Sequence, residues 1–200
     1  GLEGVVPPQL TKLNNLIYLS LSNNNLIGEL PEEIGNLNKL IYLNISSNQL
    51  TGSIPKSIGS SVELYNLNLS SNLLIGPIPE SIWNSVSLNK LDLSFNRLIG
   101  SIPKSIENLS NLNKLSLNDN QLSGYIPKEI CDLNLIWESL LDINTISSIS
   151  NNKLCPEADV YPECKNRVPK TNITKRRLKY LTLEENIHVT TKDDQNCNDE

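Results

Sequence analysis

Methionine is missing from this 200-residue chain, phenylalanine and histidine occur once each, as Phe95 and His188, and aromatic residues make up only 4%. A core built from this sequence must be aliphatic. One histidine excludes a multi-histidine metal site and a histidine-based catalytic triad within the chain. There is no GxSxG, Walker loop, GxGxxG, HExxH or kinase signature, so no nucleophile, base and orienting group can be assembled. Adjacent acids such as Glu32 and Glu33 read as a solvated turn. No apolar run reaches the roughly 18 residues of a membrane span. Cysteine is confined to positions 131, 155, 164 and 197, without CxxC spacing, which favours disulfides at one end over zinc. A net charge of -5 argues against a nucleic-acid binder. The expectation is a non-enzyme with no cofactor, no metal and no nucleic-acid partner. Because residue 1 is Gly, we expect a processed chain or part of a longer one, in which a missing signal peptide says nothing against secretion.

What the chain does have is leucine, at a fixed period. Leu16, Leu19, Leu21, Asn24, Leu26, Gly28, Leu30 and Pro31 recur as Leu40, Leu43, Ile45, Asn48, Leu50, Gly52, Ile54 and Pro55. Three further copies follow, with Asn72, Asn96 and Asn120 and with Gly76, Gly100 and Gly124 at the corresponding places. The period is about 24 residues and the pattern is LxxLxLxxNxLxGxIP, in the range of solenoid repeats.

Each position has a physical reason. In LxL the leucines share one face of a strand, so Leu19 and Leu21 point inward while Tyr18, Ser20 and Ser22 point outward. One strand per coil stacks into a parallel sheet. The Asn falls where the chain leaves the strand, and an amide that both donates and accepts can satisfy turn backbone groups inside the coil. Gly28 and its equivalents are expected at positive φ, with the following proline ending local pairing. The remaining span, such as PKSIGSSVEL, should form a short 3₁₀ or helical turn on the outer side.

The LxxLxLxxNxL half is the leucine-rich-repeat signature. With its GxIP half, the pattern over residues 2 to 164 resembles the subtype found in plant receptor ectodomains and polygalacturonase-inhibiting proteins. The resemblance implies an α/β fold: a right-handed leucine-rich-repeat solenoid, or horseshoe, with a concave parallel β-sheet and short 3₁₀ or irregular convex turns. We expect a half repeat, five regular repeats and one degenerate repeat over 1–146, a cysteine-containing cap over 147–165 and a polar tail over 166–200. The degenerate repeat keeps the 24-residue phase through Leu141, Asn144 and Ile146, with Ser139 replacing a core Leu and Ser148 replacing the Gly. The chain enters in mid-coil, so a missing first strand is expected at the N-terminus. From Lys165 onward the chain carries eight of the 17 basic and six of the 22 acidic residues, leaving nine basic against sixteen acidic, about -7, for the body. The segment NNKLC through Cys164 resembles the caps of plant-type arrays, which implies a Cys155–Cys164 disulfide and leaves Cys131 and Cys197 over. The 24-residue separation of Cys131 and Cys155 is one repeat, so a bond between neighbouring coils is the rival pairing.

Function then rests on outward columns. Tyr18, Tyr42, Asn66, Lys90 and Lys114 form one column, Asp92 lies in a second, and Phe95 and Asp119 lie in a third. Exposed aromatics are the expected contact anchors. Sequons occur at Asn44, Asn68, Asn108 and Asn172, the glycosylation signal of a secreted protein. With 29 Asn in the chain, some sequons arise by chance. We expect an extracellular or cell-surface recognition module, the ectodomain or a fragment of a receptor-like protein. Its partner would be a protein, peptide or oligosaccharide on the concave face or its flank. The alternative is a secreted enzyme inhibitor or wall-associated protein resembling the polygalacturonase-inhibiting proteins.

Overall fold

The computed structural model describes residues 1–135, 147–149 and 151–156. Two stacks of short parallel strands run the length of the array. The first is a five-stranded sheet of β2 (Tyr18–Ser20), β4 (Tyr42–Asn44), β6 (Asn66–Asn68), β8 (Lys90–Asp92) and β10 (Lys114–Ser116), in that spatial order. Leu19, Leu43, Leu67, Leu91 and Leu115 stand opposite one another and are buried. Ile45, Leu69, Leu93 and Leu117, two residues further on, are buried as well. The alternation expected from LxL is therefore the one observed, and these residues belong to a single aliphatic cluster with Trp83 as its one large ring.

The asparagines form a ladder that couples neighbouring coils. The Asn72 side-chain oxygen accepts the Leu50 N–H at 3.0 Å, while its amide nitrogen lies 3.0 Å from the Ile45 carbonyl and 3.1 Å from that of Leu69. Asn48, Asn96 and Asn120 repeat the arrangement. Each such amide satisfies backbone groups in two coils that the turn would otherwise leave buried and unpaired. At Gly28, Gly52, Gly76, Gly100 and Gly124 φ lies between +72° and +87°, the left-handed region where a residue without Cβ is unstrained.

The second stack is a feature the sequence reading does not contain. Between each ladder Asn and the following Pro the backbone stays extended. The strands are β1 (Glu3–Val5), β3 (Asn25–Gly28), β5 (Gln49–Leu50), β7 (Ile75–Pro77), β9 (Arg97–Ile99), β11 (Ser123–Ile126) and β12 (Lys153–Pro156), paired in parallel in three short sheets. Pairing does end at the proline, as expected, but the NxLxG stretch before it is long enough to pair first. Each outer turn then begins directly after Pro7, Pro31, Pro55, Pro79, Pro103 or Pro127. Five are 3₁₀ turns and the fourth, Glu80–Trp83, is one turn of α-helix. At Gly35 and Gly59 a Cβ would strike the backbone of Ser57 and Ser81 in the next coil, so these turns stack closely.

The sixth coil differs from expectation. Asn152 serves as its ladder residue: the Asn152 oxygen accepts the Leu122 N–H at 2.9 Å and its nitrogen reaches the Leu117 and Ile149 carbonyls at 2.9 and 3.1 Å. Ser148 does not stand in for the glycine; it pairs with Ser116 on the five-stranded sheet. Ser147 takes the core-leucine column and its hydroxyl accepts the Leu115 N–H at 3.0 Å. Leu154 is buried and its strand pairs with β11, so this segment packs directly on the fifth coil. The expected positions Ser139, Leu141, Asn144 and Ile146, and the expected tail 166–200, lie outside the described residues.

Candidate functional site

The outward column of the five-stranded sheet holds together as one row. Tyr18 stands opposite Tyr42, Tyr42 opposite Asn66, Asn66 opposite Lys90 and Lys90 opposite Lys114. At one end the Tyr18 and Tyr42 rings stack with centroids 4.2 Å apart and planes 5° from parallel. The Tyr18 hydroxyl is held above its ordinary pKa. Hydrogen bonding with the Tyr42 side chain is the main cause, desolvation and repulsion from the Tyr42 charge add to it, and a hydrogen bond with Ser20 opposes it. At the other end Lys114 Nζ lies 3.6 Å from Asp92 Oδ2. Asp92 also accepts the Ser94 hydroxyl at 2.6 Å. The row therefore passes from a stacked aromatic pair, through an amide, to a charged pair.

Phe95 and Asp119 lie in a second row, where each strand turns toward its ladder Asn. The row reads Asn23, Ser47, Ser71, Phe95, Asp119, Asn151, and every member has φ between +52° and +57°. Polar Asn, Asp and Ser tolerate this region in turns. A phenylalanine there is an outlier, and strain of this kind costs of order 1–3 kcal/mol. Phe95 is 56% exposed, so burial does not repay the cost. The neighbouring Asp119 is half-buried; its two oxygens accept the side-chain amides of Asn118 at 2.6 Å and Asn151 at 2.8 Å. Backbone bonds fix the two positions side by side: Phe95 N–H donates to the Asn118 carbonyl at 3.0 Å and Asn96 N–H to the Asp119 carbonyl at 3.2 Å. The sequence reading picked Phe95 and Asp119 but not the amides of Asn118 and Asn151 that orient the carboxylate. The signal for the row was present in the repeats themselves, as one aromatic in a column of small polar residues.

The remaining expected positions are dispersed. Asn44 lies in the five-stranded sheet, its side-chain nitrogen 3.2 Å from the Tyr42 hydroxyl and its oxygen accepting the Ser46 N–H at 3.0 Å. Asn68 accepts both the N–H and the hydroxyl of Ser70 at 2.9 and 2.7 Å. Asn108 is exposed on an outer turn and donates to Asn84 Oδ1 at 2.9 Å. Asn172 and Cys164 lie outside the described residues, so the expected Cys155–Cys164 pairing falls there as well. Cys131, which the expected Cys155–Cys164 pair leaves unassigned, is disulfide-bonded. The backbone of Cys155 pairs with Tyr125 in the second stack. One repeat of spacing therefore does not place Cys131 and Cys155 at equivalent points of neighbouring coils. Among the described residues no three His, Cys, Asp or Glu side chains gather as a metal site, and no helix is long and apolar enough to cross a membrane.

Parallel coils of about 24 residues, cross-linked by an asparagine ladder and presenting one variable row on a sheet, define a solenoid scaffold. The chain belongs to the leucine-rich-repeat family: the Leucine Rich Repeat pattern matches residues 15–37, 39–61, 63–85, 87–109 and 111–133. It is of the plant-type extracellular branch. The plant peptide hormone receptor RGFR1, solved in complex with RGF2, is 40% identical over 76% of this chain and 23% of its own length, with a TM-score of 0.70. A chain of the BIR3–SERK2 complex from Arabidopsis thaliana is 39% identical over 74% of this chain and 73% of its own, with a TM-score of 0.60. A plant ice-binding protein is 32% identical over 76% of this chain and 46% of its own, with a TM-score of 0.66. The chain spans about a quarter or less of the length of the RGFR1 and GASSHO1/SCHENGEN3 receptor structures it matches. Comparison with curated protein sequences gives no match.

Proposed function

We propose that this chain is a non-catalytic, extracellular recognition module, the ectodomain or a fragment of a receptor-like leucine-rich-repeat protein, and that it binds a peptide or protein. The ligand lies along the outer surface of the five-stranded sheet, the concave face of the expected horseshoe. Tyr18, Tyr42, Asn66, Lys90, Asp92 and Lys114 contact it, with Phe95 and Asp119 at its margin. One observation carries the reading: in a sheet whose flanking columns are mostly Ser and Asn, the column in register passes from Tyr18 and Tyr42 through Asn66 to Lys90 and Lys114. A ligand that spans several coils can read such a column. Similar structures support a peptide, since the peptide hormone receptor RGFR1 was solved with RGF2, PEPR1 with AtPEP1 and HAESA with the peptide hormone IDA. The inhibitor alternative has no comparable support. Oligosaccharide binding fits the stacked tyrosines but leaves the charged end without a role.

The test is a displayed random-heptapeptide library panned against the full chain, with a glycan array alongside. Peptides that bind should lose at least tenfold in affinity to the Tyr18→Ser/Tyr42→Ser variant. Lys104→Ala/Glu107→Ala, on an outer turn, should bind as the parent does. The reverse pattern, or binding by glycans alone, would sink the proposal.

A further inference from the structure

Phe95 presents an exposed ring and Asp119 a carboxylate. Among the described residues no lysine or arginine stacks on that ring and no cation pairs with that carboxylate. The Asp119 carboxylate is held by amides only, donated by Asn118 and Asn151. Those bonds fix its direction without cancelling its charge. The ring beside it is exposed and sits in a backbone conformation that a small polar residue fills in every other coil. An aromatic face attracts a cation, and a neighbouring carboxylate does so more strongly. The body of the chain, at about -7, adds a long-range field of the same sign.

We propose that Phe95 and Asp119 together form an anchor for one basic side chain, Lys or Arg, of a peptide bound along the sheet. The inference rests on the peptide-recognition reading and sharpens it: the five-stranded sheet reads the length of the ligand, and this corner fixes its register. Neighbouring coils stand about 4.8 Å apart, within the span of a lysine or arginine head that touches the ring with its methylenes or cation and the carboxylate with its N–H groups. Asn118 and Asn151 act as positioning residues for that carboxylate. Lys90 and Arg97 lie nearby in sequence and are exposed, so an acidic ligand residue at this corner is the opposing outcome.

The test takes heptapeptides selected on the full chain and rescreens them as a positional-scanning set, with citrulline in place of Arg and norleucine in place of Lys. A position that demands Lys or Arg is expected, with at least a tenfold loss on the neutral replacement. Phe95→Asn and Asp119→Asn should each cost at least fivefold for the basic peptide and little for the neutral one. Asn tolerates the left-handed turn, so Phe95→Asn should melt no lower than the parent, and lost binding cannot be ascribed to misfolding. Wild-type affinity in both variants, or a preference for acidic residues, would overturn the anchor while leaving sheet recognition intact if Tyr18→Ser/Tyr42→Ser still fails to bind. Absence of any peptide ligand would overturn both readings.

Discussion

Five coils of this array are nearly copies of one another, and the sixth is not; the contrast separates what the fold requires from what it merely prefers. Regular coils place a leucine at the first strand position, as Leu43, Leu67, Leu91 and Leu115. The sixth places Ser147 there, fully buried, and substitutes a hydroxyl acceptor for aliphatic contact. Its distance from the fifth coil is also longer, since Asn152 serves Leu122 where a constant period would have used Asn144. Yet the ladder hydrogen bonds of Asn152 are the same as those of Asn120, to within about a tenth of an ångström. Core volume and coil length are adjustable; the backbone bookkeeping at the Asn is not.

The largest effect expected from this contrast is at the ladder itself. Asn96→Ala would strand the Leu74 N–H, at about 1–3 kcal/mol, and take one of two amide donors from each of the Leu69 and Leu93 carbonyls, which keep Asn72 and Asn120, at about 1 kcal/mol for each bond lost. Chemical denaturation should show a loss of about 3 kcal/mol or more. Asn152→Ala should approach that loss if the sixth coil unfolds with the rest. Should it leave the main transition unmoved and only quicken proteolysis near residue 154, the sixth coil is a separate unit. Next in size, Leu91→Ala should cost about 2–5 kcal/mol as a core truncation. Ser147→Ala should cost about 1–3 kcal/mol through the unpaired Leu115 N–H. Equal stability of Ser147→Ala and parent would show that the sixth coil does not depend on the hydroxyl.

A smaller effect, of opposite sign, is expected at Phe95. Replacing it with Asn should raise stability by about 1 kcal/mol, the lower end of the strain for a bulky residue in this region. A thermal midpoint below the parent's would mean that the exposed ring makes contacts worth more than its backbone strain. The smallest effect concerns Tyr18. Its raised pKa means that the folded state favours the neutral phenol, so any stability it contributes is present below the ordinary value of 10.0 and is lost as pH rises through the folded value. Tyr42→Phe removes the main cause and should lower the pH at which Tyr18 ionises, as followed by ultraviolet absorbance. An unchanged titration would show that the rings do not interact through their hydroxyls.

The regular coils were readable because their rules are local. LxL sets the inward face, Asn the ladder and Gly the left-handed turn, and each rule recurs five times in phase. The sixth coil was harder to read because two segments fit the same local rule: Asn144-Thr-Ile146 offers NxI and Asn152-Lys-Leu154 offers NxL. Only the hydrogen bonds to Leu117 and Leu122 distinguish them. The second stack of strands was missed for a related reason, since its pairing is between backbones of different coils and leaves little mark on side-chain choice. At the candidate site, Phe95 could be selected from its column, whereas the support of Asp119 by Asn151 depends on that same sixth-coil register and was invisible without it.

The ladder also gives the array a polarity. Each asparagine oxygen accepts an N–H from the coil before it, as Asn48 does for Leu26 and Asn72 for Leu50. A coil is therefore completed by its successor, and removing the last coil strips an acceptor from the one that remains. Disassembly from the C-terminal end would therefore proceed coil by coil, like a zipper, each opened coil leaving an unpaired donor in the one before it. The same wiring means that a partner gripping the last coils would steady the strands behind them, so that binding at Asp119 and Asn151 would be felt along the sheet as resistance to unzipping.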